Sequence, residues 1–344
     1  YSVMSIIEVA KLAGCSHTTV SRVINQKPGV SEAAALKVQA AMRKLGYTPP
    51  ARRRGPQPKA RKAIRTGNVA LLMFGTEATP MVAPVAAAVM HSVEDALGNH
   101  GFTLALGQVK DSNRIPPAVA NGNVDGLLLH GNPPSPELAD RLKRYPAVWL
   151  MSPRSRTGYW GDRVCPDNDA IGRIAAEYLI ERGHERIAFL GVDVTHLGFH
   201  ARSQAFVDTA HEAGVAVEVV AQENGQKYRP GDQVAERRVI HALIERFAAL
   251  PNRPTGLFVP RGQATLMVYE ALRAQGIEPG RGVTIIACDT DPTLAGLNPQ
   301  IATIDVRPDR IGKQAVEQLM RHLEKPMPHA KATILVEPSL ITPG

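Results

Sequence analysis

The chain has 344 residues, of which 44% are hydrophobic and 21% are charged, and its formal net charge is +8 at pH 7. A chain of this length and apolar content predicts more than one folded domain with a large core. Its sequence has no apolar stretch of the roughly 18 residues that a membrane helix needs, and its first residues lack the pattern of a secretory signal. We interpret Met4 as the natural start.

The three cysteines, Cys15, Cys165 and Cys288, lie far apart in the sequence. Their odd number and wide spacing match neither a disulfide framework nor a metal-binding motif. We therefore expect reduced thiols in a cytoplasmic protein, and we expect neither a metal site nor a cofactor.

Residues 5–47 predict three short helices. The run Ser5-Ile6-Ile7-Glu8 has the capping-box spacing that begins a helix, and Gly14 ends that helix at a tight turn. Ser16 and Ser31 are predicted to cap the second and third helices. Apolar spacing predicts a small core of Val20, Val23, Ile24, Leu36, Val38, Met42 and Leu45.

Small polar and basic side chains lie at the start of the second helix, in the run Ser16-His17-Thr18-Thr19-Val20-Ser21-Arg22. A helix-turn-helix uses such groups at this point to reach base edges in the major groove of DNA. We therefore predict that this unit reads DNA. The alternative is a three-helix cap with incidental polar residues.

The positive charge of the chain is confined to its N-terminal end. Residues 1–67 contain 13 Lys and Arg against 2 Asp and Glu, whereas the remaining residues contain 27 against 30. A basic segment beside a helix-turn-helix is typical of contact with the phosphate backbone of DNA. Within this segment, residues 49–67 are a linker, because their prolines prevent a continuous helix.

From Asn68 onwards, short apolar runs alternate with stretches of helical spacing. The predicted strands are Val69–Phe74, Thr103–Leu106, Gly126–Leu129, Val148–Met151, Ile187–Leu190, Val217–Val220, Gly256–Val259, Val283–Ala287, Ala302–Val306 and Thr333–Val336. The predicted helices lie near residues 82–99, 136–144, 168–182, 200–213, 233–248, 263–275 and 309–325. This alternation predicts α/β lobes with doubly wound parallel sheets. Ten strands exceed one comfortable sheet, so we expect two such lobes, preceded by a small all-α helix-turn-helix head.

The first 50 residues resemble the DNA-binding head of the LacI family of bacterial transcription regulators. The matching runs are residues 6–14, 16, 19–25, 30–32 and 44–49. Similarity extends over nearly the whole chain and is firmest at residues 166–191 and 283–323. The resemblance implies a periplasmic-binding-protein-like core, with the chain crossing between lobes near residues 165, 305 and 327.

The resemblance implies a division of the chain into four parts. These are the head (1–48), the basic linker (49–67), the N-terminal lobe (68–164 plus 305–326) and the C-terminal lobe (165–304 plus 327–344).

The resemblance also implies roles for side chains in the head. His17, Thr18 and Arg22 are the predicted base contacts, and the first two vary within the family and set operator choice. The predicted phosphate contacts are Ser16, Thr19, Asn25, Ser31 and Tyr47. In the family, a hinge helix in the linker inserts an apolar side chain into the minor groove. Here residues 59–65 are either a displaced hinge with Ile64 as the wedge or a disordered basic tether.

A small-molecule effector is expected between the lobes of such a fold. Arg202 and Asp289 align with effector-binding residues of the family, and their alternative roles are a surface arginine and a helix cap. Arg261 stands where the family usually has Asn, which favours an anionic effector or the loss of sugar recognition. Weaker candidates are the hydroxyls of Thr76 and Thr79 and a stacking surface on Trp149.

These features predict a DNA-binding transcription regulator, in particular a repressor. We expect a homodimer on double-stranded operator DNA, controlled by a sugar or by another polar or anionic metabolite. The alternative is a solute-binding protein with a vestigial head, which salt-dependent binding to random DNA would exclude. The sequence lacks the zinc-protease, nucleophile-elbow and phosphate-loop motifs, so we do not expect an enzyme.

Overall fold

The computed structural model of the protein describes residues 6–24, 30–47, 66–75, 84–109, 115–193, 196–222, 232–289, 294, 296–325 and 331–343. Five predicted residues, Ser5, Asn25, Ile64, Thr76 and Thr79, lie outside these ranges, as does the linker up to residue 65. Contacts divide the chain into two compact units, residues 1–57 and residues 58–344.

The described part of the smaller unit is helical. Gly14 adopts a φ of +63° at the end of the first helix, a conformation that glycine reaches without strain. The Ser16 Oγ accepts a hydrogen bond from the Thr19 backbone N–H at 3.1 Å, and the Ser31 Oγ accepts one from Ala34 at 3.4 Å. The predicted turn and both predicted caps are confirmed. The helices are α1 (Ile6–Ala13), α2 (His17–Ile24) and α3 (Glu32–Leu45).

The smaller unit buries a compact apolar core, formed by Val9, Ala10, Ala13, Val20, Val38 and Ala41. Four predicted core residues pack against it, namely Val23, Ile24, Met42 and Leu45. The prediction for Leu36 is wrong, because its side chain is 59% exposed. Leu36 precedes Val38 by two residues, which is about 200° around the helix, so the two side chains lie on opposite faces of α3.

The larger unit alternates strands and helices. Its strands are β1 (Asn68–Phe74), β2 (Thr103–Val109), β3 (Gly126–Gly131), β4 (Ala147–Leu150), β5 (Asp162–Pro166), β6 (Arg186–Gly191), β7 (Ala216–Ala221), β8 (Gly256–Val259), β9 (Thr284–Cys288), β10 (Ala302–Asp305), β11 (Thr333–Val336) and β12 (Ser339–Ile341). Its helices are α4 (Pro84–Asn99), α5 (Pro117–Ala120), α6 (Pro136–Leu142), α7 (Asn168–Ile180), α8 (Leu197–Glu212), α9 (Gln233–Ala248), α10 (Thr265–Ala274) and α11 (Pro308–Glu324).

Among the described residues, the larger unit forms two six-stranded sheets, one in each lobe. The N-terminal sheet has the order β11-β5-β4-β3-β1-β2, and all its neighbouring strands run parallel. The C-terminal sheet has the order β12-β10-β9-β8-β6-β7, in which β12 alone pairs antiparallel. Its inner strands are buried over almost their whole length, since helices cover both faces of a parallel sheet. The predicted α/β fold with two lobes is therefore confirmed.

The boundary predicted near residue 327 is wrong, because β11 belongs to the N-terminal sheet. Thr333 to Val336 pair in parallel with residues 163–166 of β5, and the Ala332 N–H donates to the Asp162 carboxylate at 2.9 Å. The chain therefore crosses to the C-terminal lobe between β11 and β12. Strands β5 and β12 were not predicted, because the former carries charged residues and a proline and the latter has only three residues.

No helix among the described residues is long and apolar enough to cross a membrane.

Candidate DNA-reading face and ligand cavity

The start of α2 presents polar side chains to solvent. His17, Thr18 and Arg22 are exposed, whereas Val20 on the other side of the helix is completely buried. Positions 17, 18 and 22 fall within an arc of about 140° on a helix of 3.6 residues per turn. The three predicted base contacts therefore share one exposed face, which satisfies the geometric requirement for reading a groove.

The predicted phosphate contacts have more varied surroundings. Ser16 is exposed and Thr19 is partly exposed, and their hydroxyl oxygens lie 2.9 Å apart. Ser31 is exposed at the start of α3. Tyr47 is half-buried against the core of the head, and its backbone N–H donates to the Met42 carbonyl at 2.9 Å. Their contacts with phosphate stay predictions.

A cavity of about 130 Å³ lies between the two lobes of the larger unit. Most of its walls come from segments that follow the carboxyl ends of the strands, which is where open α/β sheets bind ligands. The N-terminal lobe contributes Pro84, Val85, Ala86, His130, Met151, Ser152 and Arg154. The C-terminal lobe contributes His196, Phe199, Arg202, Arg261, Gln263 and Asp289.

Arg202 is held firmly in the wall of the cavity, with only 4% of its side chain exposed. Its Nε donates to the Asn168 Oδ1 at 3.0 Å, and its Nη1 donates to the Pro260 carbonyl at 2.5 Å. Its Nη2 lies 3.8 Å from the Asp289 Oδ1, which is too far for a hydrogen bond. The guanidinium is therefore fixed by protein groups on two sides while it faces the carboxylate across a gap.

Asp289 follows β9 in a left-handed conformation, with a φ of +73°. Burial raises the pKa of its carboxyl group, although the Arg202 charge opposes this shift. The neighbouring Cys288 thiol lies 3.5 Å from its Oδ1. A largely buried carboxylate beside a guanidinium is suited to accept hydrogen bonds from ligand hydroxyl groups.

Arg261 lines the same cavity and donates from its Nη2 to the Glu236 carboxylate. Glu236 is itself buried in the first turn of α9. The ion pair anchors the arginine from the C-terminal lobe. Arg154, from the segment after β4, lines the cavity from the N-terminal lobe.

Two histidines in the cavity wall have opposite hydrogen-bond roles. The His130 Nδ1 lies 3.3 Å from the Leu150 carbonyl, which only accepts, so the proton is on Nδ1 and the Nε2 is an acceptor. The His196 Nδ1 accepts from the Gly198 N–H at 3.1 Å, so its Nε2 carries the proton. Burial, reinforced by the Arg154 charge, lowers the pKa of His130 to about 4 and that of His196 to about 3.

Acidification below about pH 6.5 is expected to destabilise the fold through these histidines. The unfolded chain takes up protons near the ordinary pKa of 6.5, whereas the folded protein does so only near 4 and 3. The free energy of unfolding should therefore fall by about 1 kcal/mol per histidine between pH 6.5 and 5.5. Urea denaturation between about pH 7 and pH 5 measures this slope.

The control for this prediction is His196→Asn, which keeps an acceptor for the Gly198 N–H and removes one titrating group. This variant should show about half of the histidine-dependent slope. A slope identical to that of the unsubstituted protein contradicts the assignment.

Asn168, at the start of α7, links the two lobes beside the cavity. Its Nδ2 donates to the Ser152 Oγ of the N-terminal lobe at 2.9 Å, while its Oδ1 accepts from Arg202. Gly198 approaches the same serine so closely that a Cβ there would lie 2.7 Å from the Oγ. Asp167 caps α7, because its Oδ1 accepts a 3.0 Å hydrogen bond from the Ala170 N–H.

Trp149 does not line the cavity, so its predicted role as a stacking surface is wrong. The side chain is 1% exposed and packs inside the N-terminal lobe against Phe74, Tyr159 and Trp160. It lies on β4, in a strand buried on both faces. An aromatic residue in such a strand is core, which the uninterrupted apolar run Ala147–Leu150 already favours.

Of the predicted ligand-binding residues, the structure brings Arg202, Asp289 and Arg261 together in one cavity. Sequence reasoning missed Arg154, His130 and His196, although each lies within a few residues of the carboxyl end of a predicted strand. Position at a strand end was the available signal.

The architecture defines a class of protein that joins a helix-turn-helix head to a two-lobed binding core, and comparison with known sequences agrees. Residues 5–50 match the family model of bacterial regulatory proteins, lacI family, and residues 176–342 match a periplasmic binding protein-like domain. The chain therefore joins a DNA-binding domain of the LacI type to a periplasmic binding protein-like domain.

Individual relatives are similar over nearly the full length. The repressor PurR of Photobacterium profundum is 28% identical, with 98% of this chain and 97% of that protein covered. The ribose operon repressor of Escherichia coli is 27% identical, with 93% of each covered. Both relatives are transcriptional repressors, and this chain is likewise a DNA-binding transcription regulator with an effector-binding core.

Solved structures show the same fold. A transcriptional regulator CelR in complex with cellobiose is 24% identical, covers 98% of each chain and has a TM-score of 0.66. The lac repressor dimer bound to operator is 18% identical, covers 99% of this chain and 98% of that chain, and has a TM-score of 0.63.

Proposed function

We propose that the protein represses transcription as a homodimer on a near-palindromic operator, under the control of a small polar molecule bound between its lobes. The observation that carries this proposal is the exposed face of α2, where His17, Thr18 and Arg22 lie together. A single head makes few base contacts, so tight specific binding requires two heads on two half-sites. The relatives named above act as repressors, which supports the direction of control.

The proposed ligand control uses the cavity between the lobes. Arg202 and Asp289 supply a fixed donor and a largely buried acceptor from the C-terminal lobe, and His130 and Arg154 face them from the N-terminal lobe. A ligand that contacts both lobes binds more tightly when they are closed, and it therefore shifts their equilibrium. Closure would change the spacing of the two heads and so the affinity for the operator.

Selection of bound sequences from a random duplex pool tests the proposal with the full-length protein. We expect a near-palindromic site whose affinity falls by at least tenfold when the salt concentration is raised from about 50 to 200 mM, because phosphate contacts release counterions. Enrichment of a single half-site contradicts the dimer. No enrichment and no salt-dependent binding would instead support a solute-binding protein with a vestigial head.

A further inference from the structure

In the described part of the chain, three arginine side chains line the cavity, and they come from both lobes. Arg154 follows β4 in the N-terminal lobe, whereas Arg202 in α8 and Arg261 after β8 belong to the C-terminal lobe. Only one carboxylate, that of Asp289, is among the lining side chains in the described part of the chain. The wall of the cavity is therefore rich in guanidinium groups.

The arginines differ in how their donors are used. Arg202 donates to Asn168 and to the Pro260 carbonyl, and Arg261 donates to Glu236 behind the wall. Among the described residues, the guanidinium of Arg154 donates no hydrogen bond, while its backbone N–H donates to the Tyr159 hydroxyl at 2.8 Å. Arg154 thus has donors for a ligand.

Like charges face each other across the cavity. Burial lowers the pKa of Arg154. Asp193 and Tyr159 oppose this shift, and the Arg261 charge adds to it. The Arg154 charge also acts on both histidines, which stay neutral. Asp193 and the buried Glu236 offset part of the charge of Arg154 and Arg261, and an anion between the two guanidinium groups would remove the repulsion that is left when the lobes approach.

The remaining polar groups of the cavity accept or donate single hydrogen bonds. The Asp289 carboxylate and the His130 Nε2 are acceptors, and the His196 Nε2 is a donor. Such groups match hydroxyls rather than a second charge. A small apolar pocket of about 10 Å³ in the N-terminal lobe, lined in part by Leu71, Met73, Val89 and Met90, shares His130 and Met151 with the cavity wall.

We infer that the effector is a small hydroxylated anion, whose carboxylate or phosphate group bridges Arg154 of the N-terminal lobe and Arg261 of the C-terminal lobe while its hydroxyl groups contact Asp289 and Arg202. The inference rests on the proposed ligand control. It adds that the ligand is negatively charged and that its anionic group holds the two lobes together. Guanidinium groups bind carboxylate and phosphate oxygens in paired contacts, so the anion replaces repulsion between the lobes with attraction.

Isothermal titration of the full-length protein with matched probes tests the charge of the ligand. The probes are glucose, gluconate and glucose 6-phosphate, with inorganic phosphate as the isolated anion. We expect at least one hydroxylated anion to bind tenfold or more tightly than glucose. Preference for gluconate identifies a carboxylate ligand, and preference for glucose 6-phosphate a phosphate ester. The inference is overturned if glucose binds as tightly as the anions or more tightly. It is also overturned if inorganic phosphate binds as tightly as the best probe, or if none of the four probes binds.

Arg154→Gln provides the test of the bridge. It should reduce the affinity for the preferred anion about tenfold and leave the affinity for glucose unchanged. Arg156→Gln is the matched control, since Arg156 lies two residues further along the same segment, is exposed and does not line the cavity. Equal effects of the two substitutions overturn the bridge. Operator binding without ligand, measured in parallel by gel shift, reports on the proposed function independently.

Discussion

Replacing Arg22 with alanine is expected to lower the affinity for the selected operator by about tenfold to a hundredfold for each head. A well-placed arginine reading a guanine contributes about 1–3 kcal/mol of discrimination, and the side chain of Arg22 is exposed on the reading face of α2. Because the proposed dimer carries two heads, the combined loss should exceed that of one. Fluorescence anisotropy with labelled operator duplex at a fixed salt concentration measures it.

Two further variants separate base reading from simple attraction to phosphate. Arg22→Lys keeps the charge but loses the planar fork, so it should recover little of the lost affinity if Arg22 contacts a base. Arg43→Ala removes an exposed arginine of α3 that lies outside the reading face, and it should change the affinity by no more than about twofold. Full recovery by lysine would assign Arg22 to phosphate instead.

The head was the part of the fold most fully predictable from sequence. Its helix ends are determined locally, by the Ser16 and Ser31 caps and by the left-handed Gly14, and such signals need no knowledge of distant contacts. The exposed Leu36 shows that local sequence does not determine which apolar side chains of α3 are buried. Hydrophobicity indicated a core residue, but the orientation of α3 against its neighbours decides which of its apolar side chains is buried.

The fold class of the two lobes was predictable from the sequence, but the pairing of every strand was not. A parallel sheet with covering helices follows from the alternating pattern, whereas the partner of an edge strand depends on residues far away in the chain. Strand β11 pairs with β5, about 170 residues earlier, and nothing in Thr333–Val336 itself indicates that lobe. Strand β5 begins with the charged Asp162, so its sequence does not indicate a buried strand. It is buried because it lies between β4 and β11 in the sheet.

The cavity required tertiary structure to be seen as a whole. Arg202, Asp289 and Arg261 could be proposed one by one from the resemblance, but their common wall with His196 and Arg154 results from the approach of two lobes. The hydrogen-bond roles of the histidines depend on single backbone contacts, which sequence does not reveal. Electrostatic complementarity to a ligand is therefore a property of the assembled fold.

The largest expected loss of stability comes from Gly172→Ala, at a position where α7 packs tightly against α8. A Cβ at Gly172 would lie 2.2 Å from the Arg202 carbonyl oxygen and 2.9 Å from the Phe206 backbone nitrogen. Both atoms belong to the backbone of α8, so no side-chain rotation removes the clash. Alanine gains about 1 kcal/mol of helix propensity, but the helices must separate, and we expect a net loss of about 3 kcal/mol in the free energy of unfolding.

The matched control is Gly98→Ala near the end of α4, where a Cβ would meet nothing within 4 Å. Alanine there should stabilise the protein by about 0.5–1 kcal/mol, so the two substitutions should act in opposite directions in urea denaturation. Because α8 carries Arg202, separation of α7 and α8 also weakens the bond from Arg202 to Asn168 and should reduce ligand affinity in whatever fraction remains folded. If both alanines stabilise the protein equally, α7 and α8 can separate without cost. That result would contradict the rigid support of Arg202 by these two helices.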